Sequence, residues 1–588
     1  MDTTTTHYVR LATAKELFLT LDEPVPVTID SLSDALCCTP RNVKFILRKL
    51  EEQGFIHWQP GRGRGHYSEM TLLRSVNETL ENHLRELIGR GKIKEAIELI
   101  GTIDIHKTLQ EQLLRSLNKH MGFHSHVETA SGQDVLRMMR SRRLTGLDPA
   151  YVYTAFETYL LGQVCSTLIT YDVKTETFLP ELAHMWESSE DHKMWTFYLR
   201  KGVRFHHGRA MTSRDVKATL QRIQDLDSPM SWHYRDVERV EADGDYCIRF
   251  YLSRPNRFFL HLFSCIPMTI LPYDVDVSKK LIGTGPFQII EMNEDVLVLS
   301  AFDGYYGIRP HLDQVDIWFV PELGPNEHHY ELPRTDRMKL NTSNNETTLV
   351  NYPALGCRYI LFNFYKAGIH HQLEFRQALR LVYDPVRLVK ELGGNRITPA
   401  NSFLPWKSAV TTWHETSLVD AKKLLMRSGY EGEPIILSYP VNKGLKEANW
   451  LQQRGKEIGL NIELHLSAHY PHPDKYKDAT LMMAEEILED DWQFGMINYF
   501  KNKSNHLHAY LTPAVQFILD QKLDHFAQLD NEKRSVLLDE AEGLLRDNCW
   551  ILHGCHMNKK AQLDQSIFGM QTAEFGFMDI SKLWIKNQ

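Results

Sequence analysis

The stretch Cys38–Leu73 reads "CTPRNVKFILRKLEEQGFIHWQPGRGRGHYSEMTLL". Thr39 and Pro40 open a helix, because a hydroxyl residue suits the N-cap and proline the first helical position. Val43, Ile46, Leu47 and Leu50 recur at helical spacing and predict an inner face, and Gly54 closes the run. Arg41, Asn42, Lys44, Phe45, Arg48 and Lys49 are left for the outer face and the first turn. "FIHWQP" and "HYSEMTLL" read as strands on either side of "GRGRG". A glycine-rich turn of this kind either cradles the phosphate of a nucleotide or grips a nucleic-acid backbone. The nucleotide reading fails, since the G-x-G-x-x-G spacing is missing and no helix opens directly after the turn.

Towards the amino terminus, "THYVRLATAKELFLTL" (6–21) places Tyr8, Leu11, Ala12, Phe18 and Leu19 on one side of a helix, with Lys15 in the same stripe. "VTIDSLSDALCC" (27–38) offers Thr28 or Asp30 as a cap and Leu32, Ala35 and Leu36 as the inner face of a second, short helix. Helix, helix, helix, strand, basic turn, strand is the order of a winged helix-turn-helix, an α+β domain expected over residues 1–75. Its third helix fits a major groove with its amino-terminal residues at base edges. Arg62 and Arg64 on the wing reach phosphates or the neighbouring minor groove. Thr39, Arg41, Asn42, Lys44, Phe45, Arg48, Arg62 and Arg64 are therefore the candidate contacts to double-stranded DNA. Between 41 and 64 six cations face only Glu51 and Glu52, a local excess of about four positive charges. The alternative is a protein-assembly winged helix with an ordinary hairpin turn.

The rest of the chain has a different texture. At 588 residues it exceeds a single compact core. A net charge of −8 argues against nucleic acid coating its whole length, and the eight scattered cysteines do not form a disulfide framework. Adjacent Cys37 and Cys38 read as core packing. No secretory leader and no uncharged apolar run of membrane-spanning length is legible, so a cytoplasmic protein without a membrane partner is expected. Residues 76–118 are helical in pattern, with breaks near Gly89–Gly91 and Gly101–Asp104, and 120–134 reads as a linker. A connector over 76–133 is thus expected, followed by a mixed α and β region from 134 to 588. "DVLRMMRS" reads as a strand, "LDPAYVYTAFETYLLGQVCSTLITYD" as turn then helix, and "FLPELAHMWE" as helix before paired strands and a helix capped near Thr212.

"LITYD", "PELAHMWE", "WTFYLRKGVRFHHGRAMTSRDV", "IGTGPFQI" and "LFNFYKAGIHHQLEFRQALRLVYDPVRLVKEL" together resemble the solute-binding proteins of oligopeptide-type ABC transporters. Joined to the winged helix, this layout resembles the SgrR-like family of transcriptional regulators. The resemblance implies a two-lobed α/β fold of the type II periplasmic-binding-protein kind over 134–588. Lobe one takes about 134–350 plus carboxy-terminal strands, and lobe two about 355–545. It also implies a cytoplasmic regulator whose binding domain senses a small molecule: a sugar phosphate, a sugar or a peptide-like compound. A homodimer on a palindromic site is compatible with it. Carried over segment by segment, the ligand would meet Tyr151, Tyr153 and Thr154 in lobe one, and Asn363, Phe364, Trp406, Glu485 and Glu486 in lobe two. The tryptophan-plus-aspartate segment of peptide binders is replaced here by "MMAEEILEDDW" (482–492), which departs from an ordinary peptide site. That acidic run would repel a phosphate unless Arg358 or Arg396 offsets it. A transport receptor remains the other reading of the large region.

No nucleophile elbow, zincin or Walker motif is present, and neither an enzyme, a cofactor nor a metal site is expected. His206–His207 reads as structural or ligand-related. In "HGCH" (553–556) only His553 and Cys555 would share a strand face. His120, His124 and His126 read as idle linker histidines.

Overall fold

The structure is a computed structural model. It describes all residues except 1–2, 62–66, 90–91, 103–112, 114–116, 118–120, 125–131, 141, 227, 321–347, 354, 441–443, 468–477, 564–566, 570, 572–574, 576 and 586–588. The chain divides into two compact units. The first runs from Met1 to Gly122 and takes in Arg137–Ser141 and residues from Trp318; the second holds the remainder.

In the first unit, helices α1 (Thr3–Thr13), α2 (Ile29–Leu36) and α3 (Pro40–Glu52) precede α4 (Val76–Gly89) and α5 (Ile93–Thr102). Strands β1 (Val25–Val27), β2 (Ile56–Gln59) and β3 (Ser68–Leu72) form a sheet in the order β1-β3-β2. The hairpin predicted around the basic turn is present, with Ile56 opposite Leu72 and Gln59 opposite Glu69. β1 adds a third strand, with Val25 opposite Met70. Three residues with a central proline carry too little period-2 signal to be read beforehand.

Thr28 caps α2 by accepting from the Ser31 N–H, and the Ser31 hydroxyl returns the bond to the Thr28 N–H. α1 is shorter than expected. It stops at Thr13, a 3₁₀ turn over Lys15–Leu17 follows, and Phe18 takes a left-handed φ of 47° with its ring 81% exposed. Leu17 is buried in place of Phe18. Had the helix run on, its apolar stripe would have carried the Lys15 ammonium inward, at a desolvation cost.

One core joins Tyr8 and Leu11 of α1, Leu32 and Leu36 of α2, the inner face of α3, Met70 of β3, and Leu80, Leu84, Ile93 and Ile97 of α4 and α5. The helical run after the hairpin thus buries its apolar face on the winged helix. Arg74 fastens the end of α3, donating to the Gln53 and Gly54 carbonyls while lying 4.5 Å over the Phe55 ring.

In the second unit, a four-stranded antiparallel sheet runs in the order Val237–Ala242, Cys247–Leu252, Met194–Leu199, Ala183–Ser188. The Ala183–Ser188 segment, expected to be helical, is a strand. Its helix-forming residues are overridden by pairing that sets Trp186 opposite Phe197. The Ser213–Asp225 helix begins as predicted, with Thr212 and Asp215 forming a capping box.

A mixed five-stranded sheet follows in the order Ile462–Ser467, Ile435–Pro440, Leu481–Glu485, Arg358–Phe362, Ile551–His553. The Arg358–Phe362 strand is buried on both faces. Tyr359 and Leu361 enter the core shared with the four-stranded sheet. Ile360 and Phe362 enter a second core under the Leu373–Val382 and Leu445–Glu457 helices. Period-2 alternation between two apolar cores explains why this stretch reads as an unbroken hydrophobic run.

Candidate nucleic-acid interface and ligand site

The outer face of α3 is built by a clean division of its residues. Val43, Ile46, Leu47 and Leu50 are 0–4% exposed, whereas Arg41, Asn42, Lys44, Phe45, Arg48 and Lys49 all lie in solvent. Thr39 at the N-cap is exposed and makes no side-chain capping bond. Both glutamates of the stretch turn aside. Glu51 accepts from the Trp58 N–H at 3.1 Å, and Glu52 pairs with Arg48 at 2.9 Å. His7 is held below its ordinary pKa by burial and by the cations Arg10 and Lys49, which marks the positive field at this end. Arg62 and Arg64 lie outside the described residues.

In the second unit the eight sequence-predicted ligand residues are spread over several segments. Asn363 and Phe364 lie just past one end of the Arg358–Phe362 strand, while Glu485 pairs with Arg358 at the other end. Five residues of extended chain separate these ends, about 17 Å. The Asn363 amide is also spent: it donates to the Ala479 carbonyl at 2.9 Å and accepts from the Tyr365 N–H at 3.1 Å, with the residue 3% exposed. Phe364 packs edge-on to His371 and under Arg376.

Thr154 stands at the N-cap position of the Ala155–Val164 helix. Its hydroxyl bonds the buried Glu157 carboxylate, which also pairs with Arg142 at 2.7 Å and accepts from the Thr145 N–H at 3.0 Å. Tyr151 donates to the Leu226 carbonyl at 3.3 Å, and Tyr153 is 37% exposed.

Glu485, Arg358 and Arg396 form a buried ion network with a residue the sequence reading missed. Arg358 and Arg396 reach the same oxygen of Glu447 at 2.9 and 3.1 Å, and the Tyr383 hydroxyl donates to its other oxygen at 2.5 Å. Glu485 adds a longer contact to Arg358 at 3.6 Å. Burial pushes the Glu447 carboxyl up, but Arg358 and Arg396 outweigh it and hold its pKa below the usual value. Arg396 is committed to Glu447, and Arg358 is shared between Glu447 and Glu485, so that Arg358 offsets one acid of the run.

The remaining acids line the loop that follows the Leu481–Glu485 strand. Glu486 accepts from the Tyr359 hydroxyl at 3.4 Å, and Glu489 accepts from the Asn498 amide at 3.0 Å. Burial, and then the charge of Glu489, pushes the Glu486 pKa up to about 8; burial also raises Glu489 to about 7. Gly356 allows the loop to close down, since its φ is +122° and a Cβ there would meet the Glu486 carbonyl at 2.0 Å. Asp491 caps the Trp492–Lys501 helix through the Phe494 N–H and bonds His261 at 2.5 Å. Trp492 meets Trp406 edge-on at 5.9 Å. This loop, with Glu486, Glu489, Trp406 and Trp492, is the candidate ligand site. His261, Asp491, Tyr359 and Asn498 join it from distant parts of the sequence, without a local motif to announce them.

Further contacts join distant segments of the second unit. Asp524 pairs with both Arg235 and Arg254 at 3.1 Å, and Phe258 meets Phe526 edge-on at 4.9 Å.

His206 and His556 are tied to the backbone around them. His206 is half-buried and bonds the Gly285 carbonyl and the Gly283 N–H, and burial lowers its pKa to about 4. His556 is fully buried between the Gly356 carbonyl and the Ser408 hydroxyl. Among the described residues no group of three or more His, Cys, Asp or Glu side chains suits a metal ion, and no helix is long and apolar enough to cross a membrane.

Residues 177–502 match the family model of bacterial extracellular solute-binding proteins, family 5, and residues 4–124 match the model of the sugar transport-related sRNA regulator N-terminus. The chain is 29% identical over 566 residues to the uncharacterized protein YhjP of Bacillus subtilis, covering 95% of this chain and 96% of that one. It is 26% identical over 584 residues to the HTH-type transcriptional regulator SgrR of Yersinia enterocolitica, covering 95% of each. Among solved structures, the periplasmic binding protein DppA of Helicobacter pylori, in complex with the peptide STSA, superposes with a TM-score of 0.65 at 20% identity. It covers 77% of this chain and 98% of its own. The dipeptide-binding protein of Pseudoalteromonas sp. SM9913, in complex with Met-Leu, gives 0.66 at 19% identity, covering 77% of this chain and all of its own. At such identities the likeness establishes the fold. With one family model spanning more than half of its length and the other its front, the chain belongs to the bacterial extracellular solute-binding proteins of family 5, in the branch that carries an SgrR-type amino-terminal domain.

Proposed function

We propose that this protein is a ligand-responsive transcriptional regulator of the cytoplasm. The first unit docks α3 in the major groove of duplex DNA, through Thr39, Arg41, Asn42, Lys44, Phe45 and Arg48, and the turn bearing Arg62 and Arg64 adds phosphate contacts. The second unit binds a small organic molecule and sets when the first acts. One observation carries the reading: a helix with four apolar residues inside and Arg41, Lys44, Arg48 and Lys49 outside, in the same chain as a solute-binding fold.

The ligand site is the loop after Glu485. Its half-buried carboxyl groups, and the commitment of Arg358 and Arg396 to carboxylates, favour an uncharged ligand rich in hydrogen-bonding groups, such as a sugar, over a phosphate. The contacts of Asn363 and Thr154 favour removing both from the ligand-binding set.

The test has two arms. Duplex binding by the intact protein should weaken steeply as salt rises; indifference to DNA at low salt removes the regulator. A thermal-shift screen of sugars, sugar phosphates and peptides should give a hit, since a ligand at about 100 times its Kd adds about 2.7 kcal/mol. Sedimentation with and without duplex decides between a monomer and a homodimer. Recovery of the protein on the outer face of the cell would favour a transport receptor instead, a reading supported by the transporter-type neighbours in the fold comparison.

A further inference from the structure

Phe45 stands out on the exposed face of α3. Its neighbours at one helical turn are Arg41 and Asn42 on one side and Arg48 and Lys49 on the other, all in solvent. Phe45 is 67% exposed at the centre of this cationic patch, and among the described residues no ring or cation packs on it. Interior burial of such a side chain contributes about 1.5–3 kcal/mol, and here the fold forgoes it. Arg48, on the same face, is paired with exposed Glu52 at 2.9 Å.

We propose that Phe45 reads thymine: its ring covers the C5-methyl groups of one or two thymines in the major groove while the surrounding cations hold the backbone. The inference rests on the DNA-binding reading and deepens it by naming the base feature recognised. Its chemical basis is that the thymine methyl is the one apolar group that base edges present in the major groove, and an aromatic side chain is a natural partner for it. Position supports this, because base-contacting residues of such helices lie in the first turns, and Phe45 is the sixth residue of α3.

The experiment uses the full chain and a library of random 20-base-pair duplexes, selected for binding, with each thymine of the enriched sequence then replaced in turn by uracil. Uracil pairs identically and lacks only the methyl. The wild-type protein should lose about fourfold in affinity at one or two positions, the value of one buried methyl group. Phe45→Ala should bind more weakly and be insensitive to uracil at those same positions, while Phe45→Leu keeps the sensitivity. Since the Phe45 ring stands in solvent, an unchanged thermal unfolding curve for both variants is part of the expectation.

Methyl sensitivity that survives Phe45→Ala overturns the assignment. So does an enriched duplex whose thymines can all be replaced without loss, and so does salt-dependent binding that enriches no sequence; both leave DNA binding itself intact. Absence of any duplex binding instead removes the regulator reading, and this assignment with it.

Discussion

Two clusters of charge in this molecule have opposite fates. On α3, Arg41, Lys44, Arg48 and Lys49 stand in water, and Arg48 pairs with a carboxylate, Glu52, that is itself exposed. In the second unit, Arg358, Arg396, Glu447 and Tyr383 share a dry interior where Glu447 has no exposed surface at all. The residue types are nearly the same. Solvated cations cost little to keep and are ready to exchange water and counterions for phosphates. Buried ions are tolerable only when their partners are in place, and they are then unavailable to a ligand.

The sharpest way to break this contrast is Glu447→Gln. It leaves two guanidinium groups buried beside a neutral amide, and the second unit should lose about 3–5 kcal/mol in urea unfolding. A loss below about 1 kcal/mol would mean that water reaches the network.

A smaller effect is expected from pH. The raised pKa of Glu486, about 8 against an ordinary 4.5, means that the folded unit keeps a proton the unfolded chain has released. Its contribution is therefore full below about pH 4.5 and is lost as pH rises to about 8. Glu447, Glu157 and Glu542, with lowered pKa values, act in the opposite sense: their contributions hold above the ordinary carboxylate range and vanish as pH falls through their folded values. Glu486→Gln should flatten the decline in urea midpoint between pH 5 and 8 while leaving the acid limb alone. Identical pH profiles for the two proteins would exclude the raised pKa.

On the solvated side, Lys44→Ala combined with Lys49→Ala should leave unfolding unchanged and flatten the salt dependence of duplex binding. The slope should fall by up to about 1.8, at roughly 0.9 for each phosphate no longer neutralised. A changed melting curve with an unchanged slope would reverse the assignment of these lysines. The smallest effect belongs to the cap of α2: Thr28→Ala removes a bond to the Ser31 N–H and should cost about 1 kcal/mol, read from the unfolding of the first unit.

Much of the front unit was legible because local rules and the tertiary outcome agree there. Val43, Ile46, Leu47 and Leu50 advertise a buried face by spacing, and Pro40 and Thr39 mark where it begins. The reading failed at Phe18, where a helix could not continue without carrying Lys15 inward, and at β1, which is too short to show a period. In the second unit, motif resemblance led to the fold, and the residues carried over with it lie in several places. Asn363 and Glu485 were carried over from two segments of a family pattern, and strand register sets them at opposite ends of the Arg358–Phe362 strand. The strand at Ala183–Ser188 was hidden because its partner, Met194–Leu199, supplies the pairing that its own composition does not suggest.

By itself the amino-acid order determined where helix faces are apolar, where caps and turns interrupt them, and which surface would carry positive charge, since these depend on residues within a turn or two of one another. Only the tertiary structure decided which charges remain usable. Whether Arg358 and Arg396 can meet a ligand depends on Glu447, some 50 to 90 residues away along the chain, and on the exclusion of water around all three. Solvation is a property of the packed neighbourhood, and no spacing of letters encodes it.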